Sequence, residues 1–121
     1  ILNRANEHEW FLNDFKILEL AGTDHAPKAG AMVFWDTRRH LCTLLFHDLP
    51  PLGPSELYQL WFMVGGSVMR SEPFWPATSG PTMLQVPLPA AKSSVESAMV
   101  TVEVAREMPQ PTGAPVLQGK F

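Results

Sequence analysis

The residues best suited to metal chemistry are four histidines (His8, His25, His40 and His47), six methionines and a single cysteine, Cys42. A blue-copper site combines these residue types in a β-sandwich. The spacing argues against one, because Cys42 and His47 lie early in the chain and alternation places them on opposite faces of one strand. A single cysteine also excludes an internal disulfide and a multi-cysteine zinc cage. We interpret Cys42 as a small buried hydrophobic residue and expect no cofactor in this chain.

The sequence gives little support for nucleophilic or acid–base catalysis. The sequence has no G-x-S-x-G motif, and Gly66-Ser67 lies in a predicted hairpin that accounts for its own glycines. Two carboxylate pairs, Glu103 with Glu107 and Asp36 with Asp48, are typical of solvated strand and turn positions. A glycine-rich phosphate loop is also missing. The sequence therefore predicts a protein that is not an enzyme.

The four tryptophans could form a stacking surface for sugars or aromatic ligands. Trp35 and Trp61 lie within apolar strand patterns, so we expect them in the core. Trp75 follows Phe74 in a proline-flanked loop at residues 73–76. Phe74 and Trp75 are therefore the candidate ligand or partner patch, and the alternative is that this loop packs across one end of the fold.

The elements that would position these side chains are short and extended. The chain has 121 residues, enough for one domain, and its 12 prolines, which are excluded from helix interiors and central strands, together with its 8 glycines predict many short elements joined by turns. Seven or eight short segments separated by turn residues are predicted strands; some of them alternate with period two, whereas residues 40–47 are apolar on both faces. The strongest local prediction is a hairpin, in which residues 57–64 and 67–71 flank Gly65-Gly66.

These segments predict an all-β fold, an antiparallel two-sheet sandwich (Ig-like) of about seven or eight short strands. An incomplete barrel is the alternative. Residues 1–14 have the only helical character in the chain, so a short N-terminal helix is expected there.

Charge and hydropathy exclude two classes of partner for this chain. Nine basic and twelve acidic residues give a net charge of −3, and neither sign is clustered, so nucleic-acid binding is not expected. The longest uncharged run, residues 73–91, contains five prolines and cannot be a membrane-spanning helix. Without an initiator methionine, the sequence is expected to be part of a longer protein.

Six short motifs occur in order: A-G-A-M-V-F-W-D at residues 29–36, L-P-P at 49–51, Y-Q-L-W at 58–61, V-T-V-E at 100–103, P-T-G at 111–113 and V-L-Q-G at 116–119. In this order the chain resembles the C-terminal extracytoplasmic domain of bacterial anti-sigma factors of the anti-sigma-K type. The resemblance marks as structural residues Trp35, Tyr58, Gln59, Leu60, Trp61, Thr101, Glu103, Pro111, Thr112, Gly113 and Gly119. Residues 103–107 depart from the E-P-A-G-G that is usual in the family, so a differently shaped turn is expected there.

The resemblance implies a membrane-bound regulator that antagonises a sigma factor and so represses transcription. The sigma factor would be bound by a cytoplasmic segment, and the membrane crossed by a helix, both absent from this chain. Residues 15–121 would form the domain outside the bacterial cell membrane, residues 1–14 its membrane-proximal stalk, and an envelope protease is a further expected partner. The alternative function is a periplasmic module that binds a small ligand or a glycan.

Overall fold

The computed structural model describes residues 15–89 and 94–121. The predicted helix at residues 1–14 lies outside the described residues. Eight strands follow one another along the chain: β1 (Phe15–Gly22), β2 (Gly30–Asp36), β3 (Leu41–His47), β4 (Leu57–Val64), β5 (Ser67–Phe74), β6 (Thr82–Pro87), β7 (Val95–Glu103) and β8 (Pro115–Lys120). The predicted all-β class is confirmed. Among the described residues, no helix is long and apolar enough to cross a bilayer.

All eight strands pair antiparallel in one sheet, in the order β5-β4-β7-β8-β1-β2-β3-β6. The strands β5 and β6 are its two edges. The half formed by β5, β4, β7 and β8 joins the half formed by β1, β2, β3 and β6 through only two paired positions, Ala21 with Gln118 and Gly22 with Leu117. We call this short join the seam.

The prediction of two separate sheets is therefore wrong, and the sheet curls into a nearly closed barrel, which was the alternative. Alternation along a strand shows which side chains face inward, but it does not say which strand pairs with which. The seam depends on close backbone approach at Gly119, where an added Cβ would lie 2.5 Å from the carbonyl oxygen of Glu19. A glycine is needed at that position because no other residue leaves the space.

The β4–β5 hairpin forms where the sequence predicted it. Gly65 and Gly66 have positive φ angles of 56° and 81°, the conformation of a primed two-residue turn. However, β5 continues to Phe74, so Phe74 belongs to a strand and not to the predicted loop. Pro73 is tolerated within β5 because an edge strand has one side without ladder hydrogen bonds.

The core lies between the two halves of the sheet. The Trp35 ring meets Phe62 edge to face at 6.0 Å, which joins β2 to β4. The Phe46 ring stacks on Phe74 at 4.5 Å, which joins β3 to the edge strand β5, and Tyr58 stacks on the same Phe74 ring at 5.5 Å. These aromatic contacts hold the halves face to face.

Candidate functional site

The outer face of β4 and β7 carries side chains that point away from the core and yet are buried. On β4, Tyr58, Leu60 and Phe62 belong to the core cluster, whereas the alternate residues Gln59 and Trp61 do not. On the neighbouring β7, Thr101 pairs with Gln59, and Glu103 follows it on the same face. The exposed fractions are 1% for Gln59, 0% for Trp61 and Thr101, and 1% for Glu103. Another part of the chain must therefore cover this face.

We infer that the cover is the connection between β7 and β8, residues 104–114, which we call the strap. Near its middle, the Met108 carbonyl accepts a hydrogen bond from Arg70 Nη1 on β5 at 3.0 Å. Near its end, the backbone N–H groups of Thr112 and Gly113 donate to the Glu103 carboxylate. The strap is thus fastened to β5 at one point and to β7 at another, across the face that contains Trp61.

The Glu103 carboxylate is the centre of the second fastening. Its Oε2 accepts from Thr101 Oγ1 at 2.6 Å, from Thr112 N at 3.1 Å and from Gly113 N at 3.2 Å. Its Oε1 accepts from the Thr112 hydroxyl. A carboxylate has about four lone-pair positions for accepting hydrogen bonds, so these four donors match its capacity. Hydrogen bonds to an ionised group are the stronger kind, and three of these four fasten the strap to β7.

The Thr101 hydroxyl connects this carboxylate to Trp61. Its oxygen accepts a hydrogen bond from Trp61 Nε1 at 2.9 Å and donates its own proton to Glu103. One hydroxyl therefore satisfies the buried indole N–H and supplies a donor to the carboxylate. The order Trp61, Thr101, Glu103 forms a continuous buried hydrogen-bond chain.

The protonation state of Glu103 follows from two opposed effects. Burial raises the pKa of its carboxyl, because a charge loses its hydration, whereas the hydrogen bonds from Thr101, Thr112 and Gly113 lower it. The hydrogen bonds are stronger in sum, and the pKa lies below the ordinary value of 4.5. Glu103 is therefore ionised at neutral pH, in the form that accepts all four hydrogen bonds.

Gly113 permits the close approach of the strap to β7. A Cβ at this position would lie 2.2 Å from the carbonyl oxygen of Val102, a distance that no real side chain adopts. Pro111 precedes this contact and has no N–H that would need a partner as the strap reaches the sheet. In the P-T-G motif, Pro111 therefore has no backbone N–H donor, Thr112 donates through both its N–H and its hydroxyl, and Gly113 has no side chain.

The remaining motif residues lie elsewhere. Trp35, Tyr58 and Leu60 are in the core, and Gly119 is at the seam. Gln59 lies beside the strap site, and its Nε2 donates to the carbonyl oxygens of Leu60 and Ser71 at 3.0 and 2.9 Å, across a β-bulge in the β4–β5 ladder. The structure brings together Trp61, Thr101, Glu103, Thr112 and Gly113.

One expectation about these residues needs correction. Glu103 is not a solvated strand position, because the strap covers it, and its partner in the predicted pair, Glu107, is exposed in the strap itself. Trp61 is fully buried, as expected, although it lies on the outer face beside the core cluster. The contact between Arg70 and Met108 could not be predicted from the sequence, because any residue type can supply a backbone carbonyl acceptor.

The two carboxylates of the other predicted pair, Asp36 and Asp48, also have different hydrogen-bond partners. Asp36 Oδ1 accepts hydrogen bonds from the backbone N–H groups of Arg38 and Arg39, both at 3.1 Å, and so caps the β2–β3 turn. Asp48 Oδ2 instead lies 3.0 Å from His47 Nδ1 at the surface. Asp36 therefore stabilises the β2–β3 turn, whereas Asp48 contacts the end of β3 at His47.

The predicted patch of Phe74 and Trp75 is divided by burial. Phe74 is 4% exposed and stacked within the core, whereas Trp75 is 49% exposed. The Arg106 guanidinium carbon, in the strap, lies 5.3 Å from the Trp75 ring centroid, which is a cation–π distance. Only Trp75 is at the surface, where it gives the strap a third, exposed contact.

Cys42 is fully buried, and burial raises the pKa of its thiol to about 12. Residues 15–89 and 94–121 contain no group of three or more His, Cys, Asp or Glu side chains that could hold a metal ion.

Comparison with known families gives one match. The family model described as anti-sigma-K factor rskA, C-terminal, matches residues 15–116. The matched region runs from the first residue of β1 into β8, so it includes the strap and the residues that fasten it. No curated protein and no solved structure matches the chain.

Proposed function

The chain belongs to the family of anti-sigma-K factor C-terminal domains, and from this premise we propose that it is the extracytoplasmic regulatory domain of a membrane-bound anti-sigma factor. Another part of the same protein would bind the sigma factor on the cytoplasmic side. A membrane-spanning helix between the two parts would anchor this domain outside the cell. The domain has no catalytic task in this proposal and acts through its folded state.

In this proposal the fold controls proteolysis. A protease needs an extended segment, and a chain held in a curled antiparallel sheet offers none until it opens locally. Where opening is fast relative to cleavage, the cleavage rate follows the population of the open form, and about 1.4 kcal/mol changes that population tenfold. A signal of modest energy could therefore start the release of the sigma factor.

The observation that carries the proposal is the way the strap is fastened. Three of its hydrogen bonds end on the single carboxylate of Glu103, so loss of that carboxylate releases the end of the strap and uncovers Trp61. The aromatic core between the two halves uses other residues. The strap is thus an element that can open separately from the core, as regulated proteolysis requires.

The test uses the full-length anti-sigma factor in its native membrane. Glu103→Ala and Trp61→Ala are expected to increase both the cleavage of the anti-sigma factor and the transcription that depends on the sigma factor. Glu72→Gln, at an exposed position of β5, is the matched control and should leave both readouts unchanged. If the two variants destabilise the domain but cleavage stays at its original rate, the proposal is refuted.

A further inference from the structure

The two edge strands of the sheet differ in how they are protected against pairing with another chain. Strand β5 carries the charged residues Arg70 and Glu72 as well as Pro73, and the strap is fastened to it through Arg70. Charged side chains, prolines and covering loops are the usual means of blocking an edge strand. Strand β6, residues 82–87, contains no charged residue, and its Met83 is 68% exposed. The edge of β6 is therefore the one suited to pairing with another strand.

Strand β5 does not occupy the free edge of β6. Within residues 15–89 and 94–121, no backbone pairing joins these two strands. The Phe74 ring at the end of β5 stacks on Phe46 of β3 from the other side of the core. Thus β5 lies over the half formed by β1, β2, β3 and β6, and not beside β6 in the same plane. An added strand can continue the sheet beyond β6.

The hydrogen-bond pattern of β6 shows which of its backbone groups point outward. Leu88 N–H donates to the His40 carbonyl at 3.1 Å, in the register of the β3–β6 ladder. Hydrogen-bonded positions alternate along an antiparallel ladder, so the even-numbered residues of β6 bond to β3. The N–H and C=O groups of Met83 and Gln85 therefore point away from β3. Pro87 agrees with this pattern, because the N–H that it lacks would also point outward.

We propose that two copies of this chain pair through β6, antiparallel and about a twofold axis at Leu84. In that register Met83 lies opposite Gln85 of the second copy, because each is one residue from Leu84. Both residues of such a pair exchange N–H and C=O hydrogen bonds, so the two pairs give four hydrogen bonds. Side chains that face the core in one copy continue the same face of the sheet in the other.

The edge of β6 is complementary to itself in this register. Pro81 and Pro87 each lie three residues from Leu84, so they would lie opposite one another. Neither has an N–H, and the ladder therefore ends on both sides without a donor that lacks an acceptor. Met83 would contact Met83 of the second copy diagonally, which removes an exposed apolar side chain from water. One edge thus supplies both sides of the interface, which favours a second copy over a foreign strand.

The test is sedimentation equilibrium of the 121-residue chain over a range of concentrations. The ladder is short, so we expect a reversible dimer whose fraction rises with concentration. Gln85→Pro removes the outward N–H, and with it two of the four hydrogen bonds, and should raise the dimer dissociation constant about tenfold or more. Gln85→Ala is the matched control: it also loses the side-chain bond to Thr43 but keeps the N–H, and should change the constant by less than about threefold.

A second pair of variants tests the edge by charge. Met83→Lys places two like charges close to the twofold axis and should weaken the dimer to a similar extent. Met69→Lys, at the 41% exposed methionine of β5, should leave the dissociation constant unchanged. Circular dichroism checks that each variant is folded. If Gln85→Pro does not fold, Met83→Lys and its control decide the question.

Hydrogen exchange locates the interface. The amides of Met83 and Gln85 should exchange more slowly as the concentration rises, whereas the amide of Leu84, which is bonded to β3, should not change. Two results overturn the proposal: a chain that stays monomeric up to about 1 mM, or a dimer that Gln85→Pro and Met83→Lys leave intact, because that dimer would use another surface. No membrane, sigma factor or protease is involved, so failure here is separate from failure of the proposed function.

Discussion

Trp61 and Thr101, forty residues apart in the chain, are joined by a 2.9 Å hydrogen bond from the indole Nε1 to the threonine hydroxyl on the outer face of the sheet. The same hydroxyl donates to Glu103, the carboxylate that holds the strap. A large aromatic residue, a hydroxyl and a buried charge therefore depend on one another. Each can be removed separately, which makes the arrangement testable.

Removal of the Glu103 carboxylate should be costly. Glu103→Ala leaves the N–H groups of Thr112 and Gly113 without their acceptor, and we expect the free energy of unfolding to fall by about 2–4 kcal/mol, since each buried donor without a partner costs about 1–3 kcal/mol. Urea denaturation measures this loss. Glu72→Gln should change stability by no more than about 0.5 kcal/mol. A Glu103→Ala variant as stable as the parent would show that the strap is not held by this carboxylate.

Acid should weaken the strap through the same group. Since the pKa of folded Glu103 lies below the ordinary 4.5, the unfolded chain binds more protons between the two pKa values, and stability is lost as pH falls through that interval. Above it, the contribution of Glu103 is constant. Denaturation of the parent and of Glu103→Gln at a series of pH values should show a shallower acid decline in the variant. Identical slopes would contradict the assignment.

The hydrogen-bond chain predicts coupling between two uncharged substitutions. Thr101→Val keeps the shape but leaves Trp61 Nε1 without an acceptor and Glu103 without one donor, and we expect a loss of about 1–3 kcal/mol. With Trp61→Phe already present, part of that loss should disappear, because the indole N–H is gone. A double-mutant cycle measures the coupling. Thr43→Val, at a half-buried threonine bonded to Gln85, is the control and should lose less.

One methyl group added at Gly113 should displace the strap from β7. In Gly113→Ala the new Cβ meets the Val102 carbonyl, so residues 112–113 must move away from β7. Gly80→Ala is the control: its φ of 72° costs about 1–2 kcal/mol, but nothing lies within 4 Å of the new atom. We expect a larger loss at Gly113 and faster hydrogen exchange at residues 104–114. Equal effects at both glycines would contradict the close approach.

Cys42 offers a measure of global opening. Because it is fully buried and its pKa is raised to about 12, a thiol reagent near neutral pH should react with it only when the sheet opens. Glu103→Ala should accelerate labelling, and Glu72→Gln should not. Rapid labelling of the parent at the rate of a free thiol would show that the core is accessible.

Much of the fold could be predicted from local pattern. Alternating residues predicted the strands, and Gly65-Gly66 predicted the hairpin, because a two-residue turn and its flanking strands are specified by neighbours in the sequence. Trp35 was expected in the core because it lies within an apolar segment, and Cys42 was expected to be buried as a small hydrophobic residue; both are fully buried. The extension of β5 to Phe74 could not be predicted in this way, because Pro73 disfavours a strand unless that strand is at an edge.

The candidate site was only partly predictable. The motif residues Thr101, Glu103, Thr112 and Gly113 were marked by resemblance, but nothing in their types showed that Glu103 would be buried. Glu103 is buried because the strap folds back over the outer face of β7.

The sequence by itself determined that this chain forms short antiparallel strands with defined inner faces, because side-chain alternation and turn chemistry act between near neighbours. Only the tertiary structure decided that β8 pairs with β1 to join the two halves, and that a strap fastened to Glu103 covers Trp61. Both outcomes depend on contacts between distant parts of the chain. Such contacts are set by which surfaces meet when the sheet curls, and no local pattern contains that information.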